Sequence, residues 1–180
     1  TALFRVRGTV EATCTTGCTI IAPVDVQGGT LRVLEGKLTV REGGTLADVT
    51  VDAAAGTTLW LEGTDGLVAS GTLSGTPAGE VHVRNGTLAA AAGDATLDVG
   101  GAGLLLSSSV HLTSAGGEFR NTGLLVHAAT VSNFVALNGA TLRNAGRMLQ
   151  PGRGLGFRND GLLINEASGI IEILDSGGLA

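Results

Sequence analysis

Phe119-Arg120-Asn121-Thr122-Gly123-Leu124-Leu125-Val126, Leu142-Arg143-Asn144-Ala145-Gly146-Arg147-Met148-Leu149 and Phe157-Arg158-Asn159-Asp160-Gly161-Leu162-Leu163-Ile164 are copies of one pattern. Each reads apolar residue, Arg-Asn, any residue, Gly, then a short and mostly apolar run. Repetition of this kind speaks of architecture first, because one unit cannot bury its apolar side without a neighbour stacked on it. Asn tolerates left-handed backbone angles, and its amide can bond to the same amide one repeat away. Asn121, Asn144 and Asn159 are therefore expected to stack as a ladder at one corner, with Gly123, Gly146 and Gly161 supplying positive φ beside them.

Outward from these copies, apolar residues recur at spacing two in short bursts: Leu31 and Val33, Leu38 and Val40, Val49 and Val51, Leu59 and Leu61, Val81 and Val83, Leu97 and Val99, Val110 and Leu112. That is the strand period, with one face turned inward. Gly-Gly, Asp-Gly and Asn-Gly punctuate the bursts, and no window of a dozen residues carries a helical stripe. With 43% hydrophobic residues among the 180, the 30 glycines read as turns in a folded chain, not as disorder. Aromatic residues make up 3%, too few for the long-stranded core of a sandwich or barrel. Small aliphatic side chains instead suit the narrow column inside a solenoid.

The fold class expected is all-β: a single-stranded, right-handed parallel β-helix, the hand following from the general preference for right-handed crossovers. Asn121 to Asn144 spans 23 residues and Asn144 to Asn159 spans 15. At ~20 residues per coil, residues 1–180 form one domain of about nine irregular coils rising roughly 40 Å. Residues 1–20, with Cys14 and Cys18, are expected to serve as an N-terminal cap or incoming coil. The last residues, Asp175 to Ala180, break off within the pattern, which points to a segment of a longer chain.

Charge narrows the partners. A net charge of −5, with Lys37 the single lysine, leaves no basic stripe that would follow a phosphate backbone, so nucleic acid is not expected. No apolar run reaches the ~20 residues that span a bilayer, and no membrane insertion is expected in this segment. Cys14 and Cys18 are too few for a four-ligand zinc site and have no His near in sequence. A disulfide closing a tight turn is the expectation, which implies an oxidising, extracellular setting.

The candidate sites are few. Trp60 alternates with Leu59 and Leu61 and should point outward, where its ring could stack on a sugar or a partner. Arg120, Arg143 and Arg158 could form a row that binds an anionic glycan, although stacked like charges repel unless acids such as Glu118 and Asp160 offset them. His82 and His111 should face solvent; neither they nor His127 converge on a metal. The acids are scattered singly, and no paired-carboxylate, nucleophile-elbow, P-loop or zinc motif is present. No enzyme activity, metal or cofactor is expected.

The phrases Phe119-Arg120-Asn121-Thr122-Gly123-Leu124-Leu125, Phe157-Arg158-Asn159-Asp160-Gly161-Leu162-Leu163-Ile164-Asn165 and Gly29-Thr30-Leu31 after Gly28 resemble the β-helical repeats of large secreted surface proteins. These include bacterial adhesins of the filamentous haemagglutinin and autotransporter-passenger type and the wall and matrix proteins of some protists. The resemblance implies an extracellular structural segment of a filament, wall or matrix, partnered by itself or by another structural protein. The alternative it implies is a carbohydrate- or host-binding adhesin module.

Overall fold

The computed structural model describes residues 2–128, 135–151 and 154–174. These residues contain no helix and seventeen strands, and every strand ladder is parallel. The chain is a β-solenoid. One row of the register runs Phe4, Val24, Gly44, Leu67, Leu88, Leu112, Leu137, Phe157. A second runs Cys18, Leu38, Leu59, Val81, Leu104, Leu125, Met148, Ile171. A third runs Val49, Leu73, Leu97, Asn121, Asn144, Asn165. Each row lies on its own parallel sheet, and the three sheets enclose one apolar column from Val6 to Leu155.

Successive members of the first row are 20, 20, 23, 21, 24, 25 and 20 residues apart. The solenoid therefore makes about seven turns, not the nine expected from a 20-residue coil. The difference lies in the corners, which take up to five extra residues while the inward-facing positions on each sheet hold their places. The aliphatic pairs at spacing two all point into the column: Leu31, Val33, Leu59, Leu61, Leu88, Leu104 and Leu112 have no exposed surface.

The strand Glu80–Val99 shows how the chain turns without losing its ladder. It presents Val81 and Val83, then Leu88 and Ala90, then Leu97 and Val99 to the column, bending at Asn85-Gly86 and at Gly93-Asp94, all four at positive φ. Asp94, at φ 65°, also accepts the backbone N–H of Glu118 one coil on, at 2.8 Å. Asp48, at φ 52°, accepts that of Thr72 in the same way, at 3.0 Å. A short acidic side chain can adopt the left-handed angle and satisfy the next corner's orphan donor together. These aspartates thus lock adjacent coils.

Phe4–Val6 and Thr9–Ile20 form the first coil. In it the register slips between Cys14, opposite Gly36, and Cys18, opposite Leu38. Thr15, Thr16 and Gly17 bulge outward between them, and the two cysteines close the bulge at disulfide distance, with Cα atoms 5.8 Å apart.

Candidate functional site

The Arg-Asn-x-Gly copies fall on two different sheets. Phe119-Arg120-Asn121 is in register with Leu142-Arg143-Asn144, and the third member of that row is Leu163-Ile164-Asn165. Asn121 donates through Nδ2 to Oδ1 of Asn144 at 2.7 Å, and Asn144 donates to Asn165 at 2.7 Å. The second proton on each Nδ2 goes to the carbonyl of Arg147 or Ile170, at 3.1 and 3.2 Å, and Asn165 donates to the carbonyl of Gly169. Asn121 and Asn144 are buried, so the ladder continues the inward row that Val49, Leu73 and Leu97 begin.

Asn159 lies elsewhere. It follows the strand Gly156–Arg158 on another sheet, at φ 48°, and donates to Oδ1 of Asn138 at 2.6 Å. Nor do Gly123, Gly146 and Gly161 adopt positive φ; at the third copy Asn159 and Asp160 do. These glycines are required for closeness. A Cβ on Gly123 would lie 2.4 Å from the carbonyl oxygen of Val99, and one on Gly146 would lie 2.4 Å from that of Gly123.

Arg120 and Arg143 stand side by side on the outer face of the Asn row, and each is held by an acid. Arg143 donates to Glu118 one coil back at 2.6 Å, and Arg120 reaches Glu166 two coils on at 3.0 Å. Hydrogen bonding to Glu118 raises the Arg143 pKa further above its ordinary value. With Asp94 these residues line a groove of about 340 Å³ whose charge is balanced within the protein. Arg158 is on the other sheet with Asn138, so the three arginines do not form one row.

Trp60 does point outward, in the row Thr19, Thr39, Trp60, His82. Both faces of its ring are occupied. Lys37 Nζ lies 3.9 Å from the ring centroid and Arg84 Cζ lies 4.0 Å from it, with Arg84 also paired to Glu62 at 3.5 Å. The indole is a spacer between two cations of adjacent coils, each contact being worth about 0.5–1 kcal/mol at an exposed site. Beside it a shallow groove of about 500 Å³ is lined by Thr19, Thr39, Arg41, Glu42 and Glu62 as well as the Trp60 edge. The cations at Trp60 had no local sequence signal, because Lys37 and Arg84 are 23 and 24 residues from it, about one coil on either side.

The remaining polar residues mostly tie coil to coil. Asp25 accepts from Arg5 at 2.8 Å, Gln27 at 2.9 Å and Thr45 at 3.0 Å, and these bonds, that to Arg5 foremost, hold its carboxyl below the usual range. Arg32 pairs with Asp52 at 2.8 Å and Arg147 with Glu172 at 2.8 Å. His82 sits between Ser107 and Glu80 on the outside, whereas His127 is fully enclosed in the column. Among the described residues no three His, Cys, Asp or Glu side chains converge as a metal site would require, and no helix is long and apolar enough to cross a membrane.

Comparison with protein-family models, with curated proteins and with solved structures finds no match to this chain.

Proposed function

We propose that the chain is a structural, non-catalytic segment of an extracellular filament, wall or matrix protein, and that it assembles through its coil edges or by lateral contact. The observation that carries this reading is the state of the first and last described coils. Among the described residues, Phe4–Val6 is paired on one edge only, to Val24–Gln27, and Ile170–Ile173 on one edge only, to Arg147–Gln150. Unpaired strand edges are templates for further parallel pairing. Apolar side chains accompany them: Phe4 is 39% exposed, Ile170 53% and Ile173 48%. The long sides, by contrast, carry charges already neutralised across coils. The cysteine pair supports an oxidising setting.

Electron microscopy over a range of protein concentrations tests the assembly. Rods that lengthen with concentration are expected; dispersed particles of single-chain size at every concentration would overturn the proposal.

A second reading, a carbohydrate- or host-binding adhesin module, draws on the groove beside Trp60. In that case a sugar must displace Lys37 from the ring, and binding on a glycan array must fall in Trp60→Ala. Absence of binding, or binding that survives the substitution, removes this reading.

A further inference from the structure

His127 occupies a row that is aliphatic in each preceding coil: Ile20, Val40, Leu61, Val83 and Leu106. It has no exposed surface, and neither Nδ1 nor Nε2 has a hydrogen-bond partner. Val126 and Leu149 are in register, which places buried Gln150 in the same row one coil on.

The inward residues of the surrounding strands offer no counter-charge. They are Leu104, Leu106, Val110 and Leu112 of Leu104–Ala115, Leu125 of its own strand, Val135 and Leu137 of Val135–Asn138, Leu142 and Asn144 of Thr141–Asn144, and Met148 of Arg147–Gln150. The titratable groups on these strands and the next ones out, His111, Arg120, Arg143, Arg147 and Glu172, all alternate to the outer face. A proton on His127 therefore places an unpaired charge in an apolar column, which a protein avoids either by refusing the proton or by opening.

We propose that His127 makes the C-terminal coils acid-labile: protonation of its imidazole opens the column between Leu104–Ala115 and Arg147–Gln150 while the earlier coils stay closed. Opening is local because each coil of a solenoid is held by its immediate neighbours. Burial pushes the His127 pKa down from 6.5 to about 4. The opened form then binds the proton more readily than the closed form. Stability is complete above pH 6.5 and is lost as pH falls from there toward 4. With that separation the opening equilibrium of these coils grows about a hundredfold between pH 7 and pH 4.

Hydrogen–deuterium exchange, corrected for the intrinsic rate at each pH, tests the proposal. Between about pH 7 and about pH 4.5, peptides within 104–128 and 135–150 should lose protection while peptides within 24–62 retain it. His127→Leu, which restores the aliphatic row, should abolish that loss. His127→Gln, polar but without a titration, should weaken protection equally at both pH values. The same acid loss in His127→Leu, or a loss spread evenly over all coils, would overturn the assignment.

Discussion

Asn121 hands its amide proton to Asn144 one coil away, at 2.7 Å, inside a column whose three preceding positions in that row are Val49, Leu73 and Leu97. A polar ladder is tolerated there because nearly every donor and acceptor it brings in is used, including one backbone carbonyl per amide. Its members depend on each other.

Asn144→Leu should consequently cost about 2–4 kcal/mol, since it leaves the buried amide of Asn121 without its ladder acceptor and that of Asn165 without its donor. Replacing Asn121, Asn144 and Asn165 together by Leu should cost less than the single change, because no stranded polar group remains. Urea unfolding of the single and triple variants measures the difference; equal or additive losses would argue against a coupled ladder.

Gly146→Ala places its Cβ 2.4 Å from the carbonyl oxygen of Gly123 and must push two backbones apart. A loss of about 3 kcal/mol is expected, at the upper end for overpacking. Gly8→Ala, with nothing within 4 Å of the added carbon, should change stability little. Thermal unfolding of the two variants, side by side, checks the contrast.

Trp60→Ala removes the spacer between Lys37 and Arg84 and should lower stability by about 2 kcal/mol, from two cation–π contacts and lost apolar burial. Trp60→Phe should recover part of this. A Trp60→Ala variant as stable as the parent in urea would show that the ring contributes nothing to holding its coils together.

Asp25 supplies a pH dependence opposite in origin to that of His127. Its carboxyl is held below the model value of 3.8 by Arg5, Gln27 and Thr45, so its contribution is present above that value and lost as pH falls through it. Asp25→Asn should flatten the acid limb of the stability profile below about pH 4. It should leave the His127 region between 6.5 and 4 unchanged.

The fold was legible because alternation at spacing two is a property of every coil: Leu59 and Leu61, or Val110 and Leu112, announce their inward faces locally. The coil register was not. Gly29-Thr30-Leu31 and Gly44-Thr45-Leu46 are 15 residues apart because they sit on different sheets, and Asn144 and Asn159 repeat that step. Similar turns use similar residues wherever they occur, so the motif marks a corner without saying which one. Asn165 was hidden for the complementary reason: Ile164 replaces the arginine before it, and its glycine, Gly169, follows after four residues instead of two. The partners of Trp60, Arg120 and Arg143 lie one or two coils away, where only the register can find them.

Sedimentation velocity of the parent chain and of an Ile170→Lys, Ile173→Lys variant, which charges the exposed edge of the last described strand, tests the assembly account most directly. The parent should show elongated species that grow with concentration, and the variant should remain a single chain. A parent that sediments only as a compact monomer, or a variant that assembles as the parent does, would contradict it.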